Sequence, residues 1–472
     1  VIACAAGFVT IAFLACFLHL SYNDIQTWDE ADNAGVILET IDEGNYFVLL
    51  RRGEPYFDKP PLWYYLTQAV VRIAGADEFT FRLISAVSGF LLIILVFSVS
   101  TRMFSPLAGF AAGLFMLAVR QLFIPRPGEI FSTHHIRSAD SDVLLILLLF
   151  AAYCCFYRVS CGERNWLIGA AFLSALAVMT KGPLGLIAAV AFFLFLLLSA
   201  RRISLSAREI LYFLLVFAAV AVPWHLLMYA KFGPIFLDKY PRYIWFRVAS
   251  GLPVHTPPWY YYFRILANRR VFFGCELLLL AVVATLLDRR RLSEYRYGGT
   301  LLAFFLFFGM LNITKTKIAW YLLPLYPFAA VLVAGLVERL RQLVIRPGLY
   351  PRWRVGAASL VAAIFTLTAA AAAHNLYSIV RFQPGPVQEF FRSARALCGD
   401  DLVYADERMS VYFAYQVRRH GLRTESPGDA GCFIAREDTM LPPRAEEIHR
   451  KRLMVAGFVL WEREADTDVP LR

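Results

Sequence analysis

Within ten residues, Tyr56-Phe57-Asp58-Lys59-Pro60-Pro61-Leu62-Trp63-Tyr64-Tyr65 combines an acid, a lysine, two prolines and five aromatic rings. Upstream, after a single apolar run, stands Trp28-Asp29-Glu30. Carboxylates and a lysine at a membrane boundary suit a reaction on a lipid-borne anion. Partial burial raises a carboxylate's pKa toward neutrality, which fits Asp29 or Glu30 for general-base work. An ammonium holds a phosphate as a point charge, and Pro60-Pro61 restricts the backbone around Lys59. Plainer roles stand beside these. Acids are favoured at helix N-termini, and lysines near membrane ends snorkel to headgroups.

Further along, Arg137-Ser138-Ala139-Asp140-Ser141-Asp142 ends with an acid entering an apolar run, where a charge is costly and normally paired. An ion pair with Arg137 is one reading; a substrate site is the other. Lys181-Gly182-Pro183 and Thr314-Lys315-Thr316-Lys317 are basic turns that suit anion binding or a salt bridge to an acid of the first loop. Arg242 and His255 precede the aromatic run Pro257-Pro258-Trp259-Tyr260-Tyr261-Tyr262. That run suits a sugar-stacking surface, a groove for an isoprenoid tail, or an interface belt. His134-His135 lacks the matched spacing of further ligands that a metal site needs. No P-loop, Rossmann glycine pattern or GxSxG elbow is present.

The elements that must position these residues are membrane helices. Of 472 residues, 59% are hydrophobic and 18% charged, which excludes a soluble globular enzyme. Apolar runs of membrane-crossing character fall at 1–20, 79–100, 106–125, 141–157, 165–180, 183–200, 209–229, 271–287, 299–313, 318–338 and 355–375, about eleven helices. A barrel would show short alternating segments instead. Lys181-Gly182-Pro183 divides one long run in two. The first run lacks the basic flank and cleavage site of a signal peptide, so a retained helix is expected.

The net charge of +11 fits basic cytoplasmic loops and not a nucleic-acid partner. By span count, the loops holding Arg201, Arg202 and Arg208, then Arg289, Arg290, Arg291 and Arg296, then Arg339, Arg341, Arg346, Arg352 and Arg354 share one side with Arg102, Arg158 and Arg164. The positive-inside rule makes that side cytoplasmic, with the N-terminus inside and the C-terminus outside. The opposite side collects Asp29, Glu30, Lys59, Arg137, Asp140, Asp142, Lys181, Arg242, His255, Lys315 and Lys317. The expected domains are a membrane domain, 1–375, with outer loops 21–78 and 230–270, and a small α/β domain, 376–472. The latter reads as helices near 386–397 and 407–418 and strands near 402–405, 431–436 and 454–461. Cys398 and Cys432 lie in this polar region and are able to pair in an oxidising space.

Asp29-Glu30, Tyr56-Phe57-Asp58-Lys59-Pro60, Phe81-Arg82-Leu83, Thr180-Lys181-Gly182, His255 with Pro258-Trp259-Tyr260-Tyr261, and Lys315-Thr316-Lys317 with Tyr321-Leu322-Leu323-Pro324 follow one another in this order. In that order they resemble the GT-C type lipid-linked-sugar glycosyltransferases. The likeness covers roughly residues 20–335. It is nearest to the lipid A aminoarabinose transferases and their relatives in the protein O-mannosyltransferase superfamily. The resemblance implies an all-α polytopic membrane domain, a polyprenyl-phosphate sugar donor and transfer on the periplasmic face. By it, Asp29, with Glu30, is the base or acceptor-orienting acid, and Lys59 holds the donor phosphate. Asp142 is the acid at the start of the fourth span, with Asp140 a close competitor. Lys181, Lys317, Tyr321, Arg137 and Arg242 join the substrate site. In the aminoarabinose transferases an Arg-Tyr pair follows the Asp-Glu, and here Asp32-Asn33 stands there. The sugar and acceptor are therefore open, with Arg51 or Arg242 as replacement cations. Asp58 and His255 are a candidate pair of metal ligands.

The expected function is transfer of a sugar from a polyprenyl phosphate to an envelope lipid, glycan or protein, at the periplasmic face of the bacterial inner membrane. Single displacement would invert the anomeric centre. Fixed cations stabilise the departing phosphate, and the activated donor supplies the driving force, so no cofactor is required. A monomer surrounded by membrane lipids is expected. The alternative is a transporter or flippase for a lipid-linked sugar. Transporters place their sites at midplane between repeats, whereas the notable charges here lie at one face.

Overall fold

The computed structural model describes residues 2–26, 29–124, 133–198, 204–245, 256–268, 274–399, 402–405, 411–424, 431–438, 449–455 and 457–463. Its helices are α1 (Ile2–Phe17), α2 (Asp29–Asp42), α3 (Leu62–Ala74), α4 (Glu78–Met103), α5 (Pro106–Ala118) and α6 (Asp142–Ser160). They continue as α7 (Trp166–Lys181), α8 (Ile187–Leu198), α9 (Ala207–Phe232), α10 (Pro234–Trp245), α11 (Tyr261–Ala267) and α12 (Cys275–Leu287). The last are α13 (Thr300–Ile313), α14 (Tyr326–Ile345), α15 (Pro351–Val380), α16 (Pro386–Cys398) and α17 (Val411–Arg419).

Seven described helical segments are long and apolar enough to cross a membrane, and three shorter apolar helices accompany them. The chain is a multi-pass, mainly helical membrane protein. The segment Trp166–Leu198 counts as one of the seven, but it is broken where the sequence predicts, by a 3-10 turn at Gly182–Leu186. Gly182 has φ +66°, a conformation L side chains rarely adopt, and a Cβ on Gly185 would stand 2.2 Å from the Val178 amide nitrogen. The turn therefore packs back onto the end of α7, which only glycine permits.

The chain folds as two compact units. The first comprises Val1–Leu18, Pro55–Leu66 and Arg82–Val380. Its best-buried span is Ala319–Ile345, which contains α14, with 89% of its apolar window inside the protein; α14 packs against α5, α12, α13 and α15. Small residues allow the close approach, since membrane helices associate by backbone proximity rather than by hydrophobic exclusion. Gly109 and Gly113, four apart on α5, press on Thr101 and on Phe8, and an added Cβ would meet atoms at 1.9 and 2.4 Å. By contrast α9 and α15 bury only 17% and 22% of their windows, as lipid-facing helices do.

The second unit comprises His19–Glu54, Thr67–Phe81 and Arg381–Arg472. Compactness thus divides the chain differently from a single cut after residue 375. Its sheet contains β1 (Leu402–Tyr404), β2 (Arg423–Thr424), β3 (Cys432–Arg436), β4 (His449–Val455) and β5 (Phe458–Arg463). The strand order is β2-β1-β3-β5-β4. β1 runs parallel to β2 and β3, and β5 runs antiparallel to β3 and β4. Val387, Phe390, Phe391 and Ala394 of α16 cover one face, against Leu402, Tyr404, Ile434, Phe458 and Leu460. The single strand expected at 454–461 is two strands, because Gly457 at φ +83° turns the chain between them.

Cys398 and Cys432 form a disulfide joining the end of α16 to the start of β3. Loop closure of this length stabilises a fold by about 2–4 kcal/mol. Cys398→Ser is expected to lower the stability of this unit by about that amount, read from denaturant unfolding of the full chain. Alkylation without reductant should leave Cys398 and Cys432 unmodified, and labelling of both would rule the bridge out.

Candidate active site

In the first unit, Asp142 opens α6 and is held on both oxygens. Its Oδ1 accepts from Lys181 Nζ, at the end of α7, and its Oδ2 lies 2.6 Å from His134 Nδ1. Asp142 is 5% exposed and His134 3%. An acid at the head of a membrane span is tolerated when paired in this way. His134 adopts φ +64°, a region non-glycine residues seldom enter. Its ring stacks on Trp320 with centroids 4.3 Å apart and planes within 10°. The neighbouring Tyr321 presents its ring to Lys181 Nζ at 5.9 Å from the centroid. Both rings come from one short 3-10 segment, Ala319–Leu325.

Asp140 supports the same turn. Its Oδ1 accepts the Asp142 amide at 3.0 Å, its Oδ2 accepts from Ser138 Oγ, and its carbonyl accepts from Ser85 Oγ at 2.7 Å. Burial pushes the Asp140 carboxyl up to about 6; His134 opposes the rise and the Asp142 carboxylate adds to it. Arg137 points elsewhere. Its Nη1 donates to the carbonyls of Ala15 and Cys16 at 3.1 and 3.3 Å, and its Nη2 to that of Leu18 at 2.7 Å. A guanidinium thereby serves the end of α1, where carbonyls lack helical partners. Burial and the nearby Arg82 lower Arg137 to about 10. The ion pair considered between Asp142 and Arg137 is made instead with Lys181, and His134 bonds the other oxygen.

Lys59 is buried in the same unit, directly before Pro60-Pro61 and α3. Phe57 beside it lies edge-on to Phe232 and Phe236, at 5.3 and 5.1 Å, so the ends of α9 and α10 seat the motif. Lys317 donates from Nζ to the Thr314 carbonyl at 2.6 Å, and burial lowers its pKa. The Ile318 amide donates to Tyr262 Oη at 3.1 Å. The last ring of the aromatic run thus braces the Lys315-Thr316-Lys317 turn, while Trp259 is 70% exposed. Arg242 is exposed on α10 and pairs with Asp238.

In the second unit, Asp29 and Glu30 form the first turn of α2. Glu30 is fully buried and accepts the Gln26 amide at 2.8 Å. Arg51 reaches Asp32 at 3.2 Å, which brings a guanidinium to the place where the Arg-Tyr pair is missing.

Within the first unit the structure gathers Asp140, Asp142, Lys181 and Tyr321. It adds His134, which the sequence offered only as half of a weak metal pair with His135, and Trp320, which the sequence did not single out. His134, Asp140 and Asp142 each offer a ligand atom within 4.8 Å of the others, the arrangement a metal ion would use. Lys181 already pairs with the Asp142 carboxylate, so a cation there would compete with its ammonium. Of the metal pair expected from the sequence, Asp58 is described and His255 lies outside the described residues.

A family model described as dolichyl-phosphate-mannose-protein mannosyltransferase matches residues 58–227. An uncharacterized protein of Aquifex aeolicus is 25% identical over 325 residues, 68% of this chain and 61% of that one. The undecaprenyl phosphate-alpha-4-amino-4-deoxy-L-arabinose arabinosyl transferase of Pseudomonas savastanoi pv. phaseolicola is 26% identical over 339 residues, 70% of this chain and 60% of that one. The match thus spans about three fifths of these curated relatives. The crystal structure of ArnT from Cupriavidus metallidurans bound to undecaprenyl phosphate superposes with a TM-score of 0.70, at 15% identity and 99% coverage of both chains. The chain resembles the aminoarabinose transferases and the O-mannosyltransferase group, as its motifs imply, and it has the ArnT fold.

Proposed function

We propose that the chain is an integral-membrane glycosyltransferase that takes its sugar from a polyprenyl phosphate. The observation that carries this reading is a set of three largely buried lysines in one unit. Lys59 and Lys317 are 6% and 7% exposed, and Lys181 has a side chain 13% exposed on the Asp142 carboxylate. An ammonium can hold a phosphate as a point charge, and a lipid phosphate is an anion delivered at a membrane boundary. By the apolar runs of the sequence, four separate Lys59 from Lys181 and four separate Lys181 from Lys317, which in this reading puts all three lysines on one face of the membrane. With the arginine-rich loops taken as cytoplasmic, that face is the periplasmic one of a bacterial inner membrane in this reading.

In this reading Lys59, with Lys181 and Lys317, stabilises the phosphate as it departs. Asp29 takes the proton of the acceptor hydroxyl, and the new glycosidic bond forms with inversion. Asp142 aims Lys181 and His134 and does not itself accept the proton. Arg51 beside Asp32 is a cation for the sugar or acceptor end. The acceptor is an envelope lipid, glycan or protein, and the protein works as a monomer.

Because the Asp142 carboxylate is already paired with Lys181, transfer should proceed without a metal. Activity in excess EDTA is expected to stay within about two-fold of the untreated protein, and abolition with recovery on adding Mg²⁺ or Zn²⁺ would reverse this point. The function itself is tested in proteoliposomes carrying an undecaprenyl-phosphate sugar, with mass spectrometry of lipid A, cell-wall glycans and proteins with and without the enzyme. Free undecaprenyl phosphate and a matching mass gain on one acceptor are expected. Donor that crosses the bilayer unconsumed would identify a flippase instead.

A further inference from the structure

Residues on both sides of the Asp29-Glu30 turn are gripped by the C-terminal part of the chain. Upstream, the Asp24 carboxylate accepts the amides of Val387 and Gln388 at 3.1 and 3.0 Å. These are first-turn amides of α16, which lack partners within their own helix. The Gly385 amide donates to the Tyr22 carbonyl at 2.6 Å, and Gln388 Nε2 donates to the carbonyls of Ser21 and Asn23 at 2.7 and 3.3 Å. The fit leaves no room for a side chain, since a Cβ on Gly385 would fall 2.2 Å from the Asp24 carboxyl carbon.

Downstream, α17 packs along α2. Arg418 Nη1 reaches Glu39 Oε2 at 3.3 Å, and Glu39 also accepts the amides of Arg52 and Gly53 at 2.9 and 2.5 Å. Arg419 meets Glu78 at 3.4 Å. On the same helix, burial pushes the pKa of the Tyr412 hydroxyl up, and the charges of Asp24, Glu78 and Glu30 add to the rise. All of these residues belong to the second unit. The two acids that open α2 are therefore bracketed: Asp24 before them is tied to α16 and Glu39 after them to α17.

We infer that the C-terminal domain is a clamp that positions the Asp29-Glu30 turn, with Asp24, Gly385 and Arg418 as positioning residues. The inference rests on the assignment of Asp29 as the reacting acid. A base must lie within hydrogen-bond reach of the proton it takes, and a displacement of about 1 Å is enough to cost on the order of 100-fold in rate. The half-exposed Arg418 pair is weak alone, so both anchors are removed together in the test.

The test is steady-state transfer by the full chain in proteoliposomes, with an undecaprenyl-phosphate sugar as the probe. Asp24→Ala/Arg418→Ala should lower kcat by about 10–100-fold and leave the KM for donor within about two-fold. Asp24→Asn, which still caps a helix, combined with Arg418→Lys, should recover most of the lost kcat. Gly385→Val attacks the upstream anchor independently and should give the same split. Unchanged kcat in both the double variant and Gly385→Val, with Asp29→Asn inactive, would overturn the clamp and leave the site assignment standing. A fall in kcat accompanied by loss of donor binding would overturn it too, as general unfolding. Normal turnover by Asp29→Asn would instead overturn the assignment on which the clamp rests.

Discussion

Lys59→Ala is expected to lower sugar transfer by about 10²–10³-fold, the cost of removing one preorganised charge-stabilising group. The lysine is held, not free. It is 6% exposed, Pro60-Pro61 restrict the backbone after it, and Phe57 before it is seated on Phe232 and Phe236. A surface lysine spends its conformational freedom when it binds, whereas this one has already been ordered by folding. The leaving phosphate gains charge as the glycosidic bond breaks, so the fixed ammonium acts more on the transition state than on the bound donor. The deficit should therefore fall mainly in kcat, with a smaller rise in donor KM. Lys59→Arg should recover little, because the planar guanidinium needs a different set of acceptors and more room. Turnover with purified donor checks both variants. A Lys59→Ala protein that turns over at the normal rate would remove Lys59 from the site.

Phe57 also shows what the sequence could not supply. The Asp58-Lys59-Pro60-Pro61 spacing marks a chemical motif, but the rings that seat it lie on α9 and α10, some 175 residues away in sequence. The membrane spans were legible because a run of about 20 apolar residues seldom folds as anything but a membrane helix. The break at Gly182 was legible because glycine and proline leave a local mark. Asp142 was legible for a similar reason, as an acid at the head of an apolar run. Its partners were not: the His134 contact depends on a left-handed backbone at a residue that is not glycine, and no local pattern announces that. Arg137 misled for the complementary reason. A charged residue beside an acidic motif suggests substrate, and only the fold shows its guanidinium on the carbonyls of α1.

The affiliation of α2 was the least visible feature. Composition changes sharply near residue 376, which suggests a separate C-terminal domain, yet Asp24 and Val387 meet across 363 residues of sequence. A contact of that range involves one carboxylate and two backbone amides. The carboxylate is one of 36 acids in the chain and the amides are two of hundreds, so spacing and composition carry no trace of it.

Asp29→Asn separates the two roles that sequence leaves open for the first residue of α2. Asparagine and aspartate serve almost equally at a helix N-terminus, so a purely structural Asp29 predicts a folded and active variant. Asparagine cannot accept a proton from an incoming hydroxyl. If Asp29 is the base, transfer should drop by about 10²–10⁴-fold, the usual contribution of a positioned acid or base. The surroundings favour survival of the fold. Glu30 keeps its bond to the Gln26 amide, Asp24 keeps its hold on α16, and Glu39 keeps Arg418. None of these needs the Asp29 charge. The variant should therefore bind donor with near-normal affinity, measured with a radiolabelled polyprenyl-phosphate sugar, while product formation nearly stops. Asp29→Glu extends the same group by one methylene and should retain more activity than the amide does. An Asp29→Asn protein that binds donor and transfers sugar at a near-normal rate would return Asp29 to helix capping and move the search for the base to Glu30.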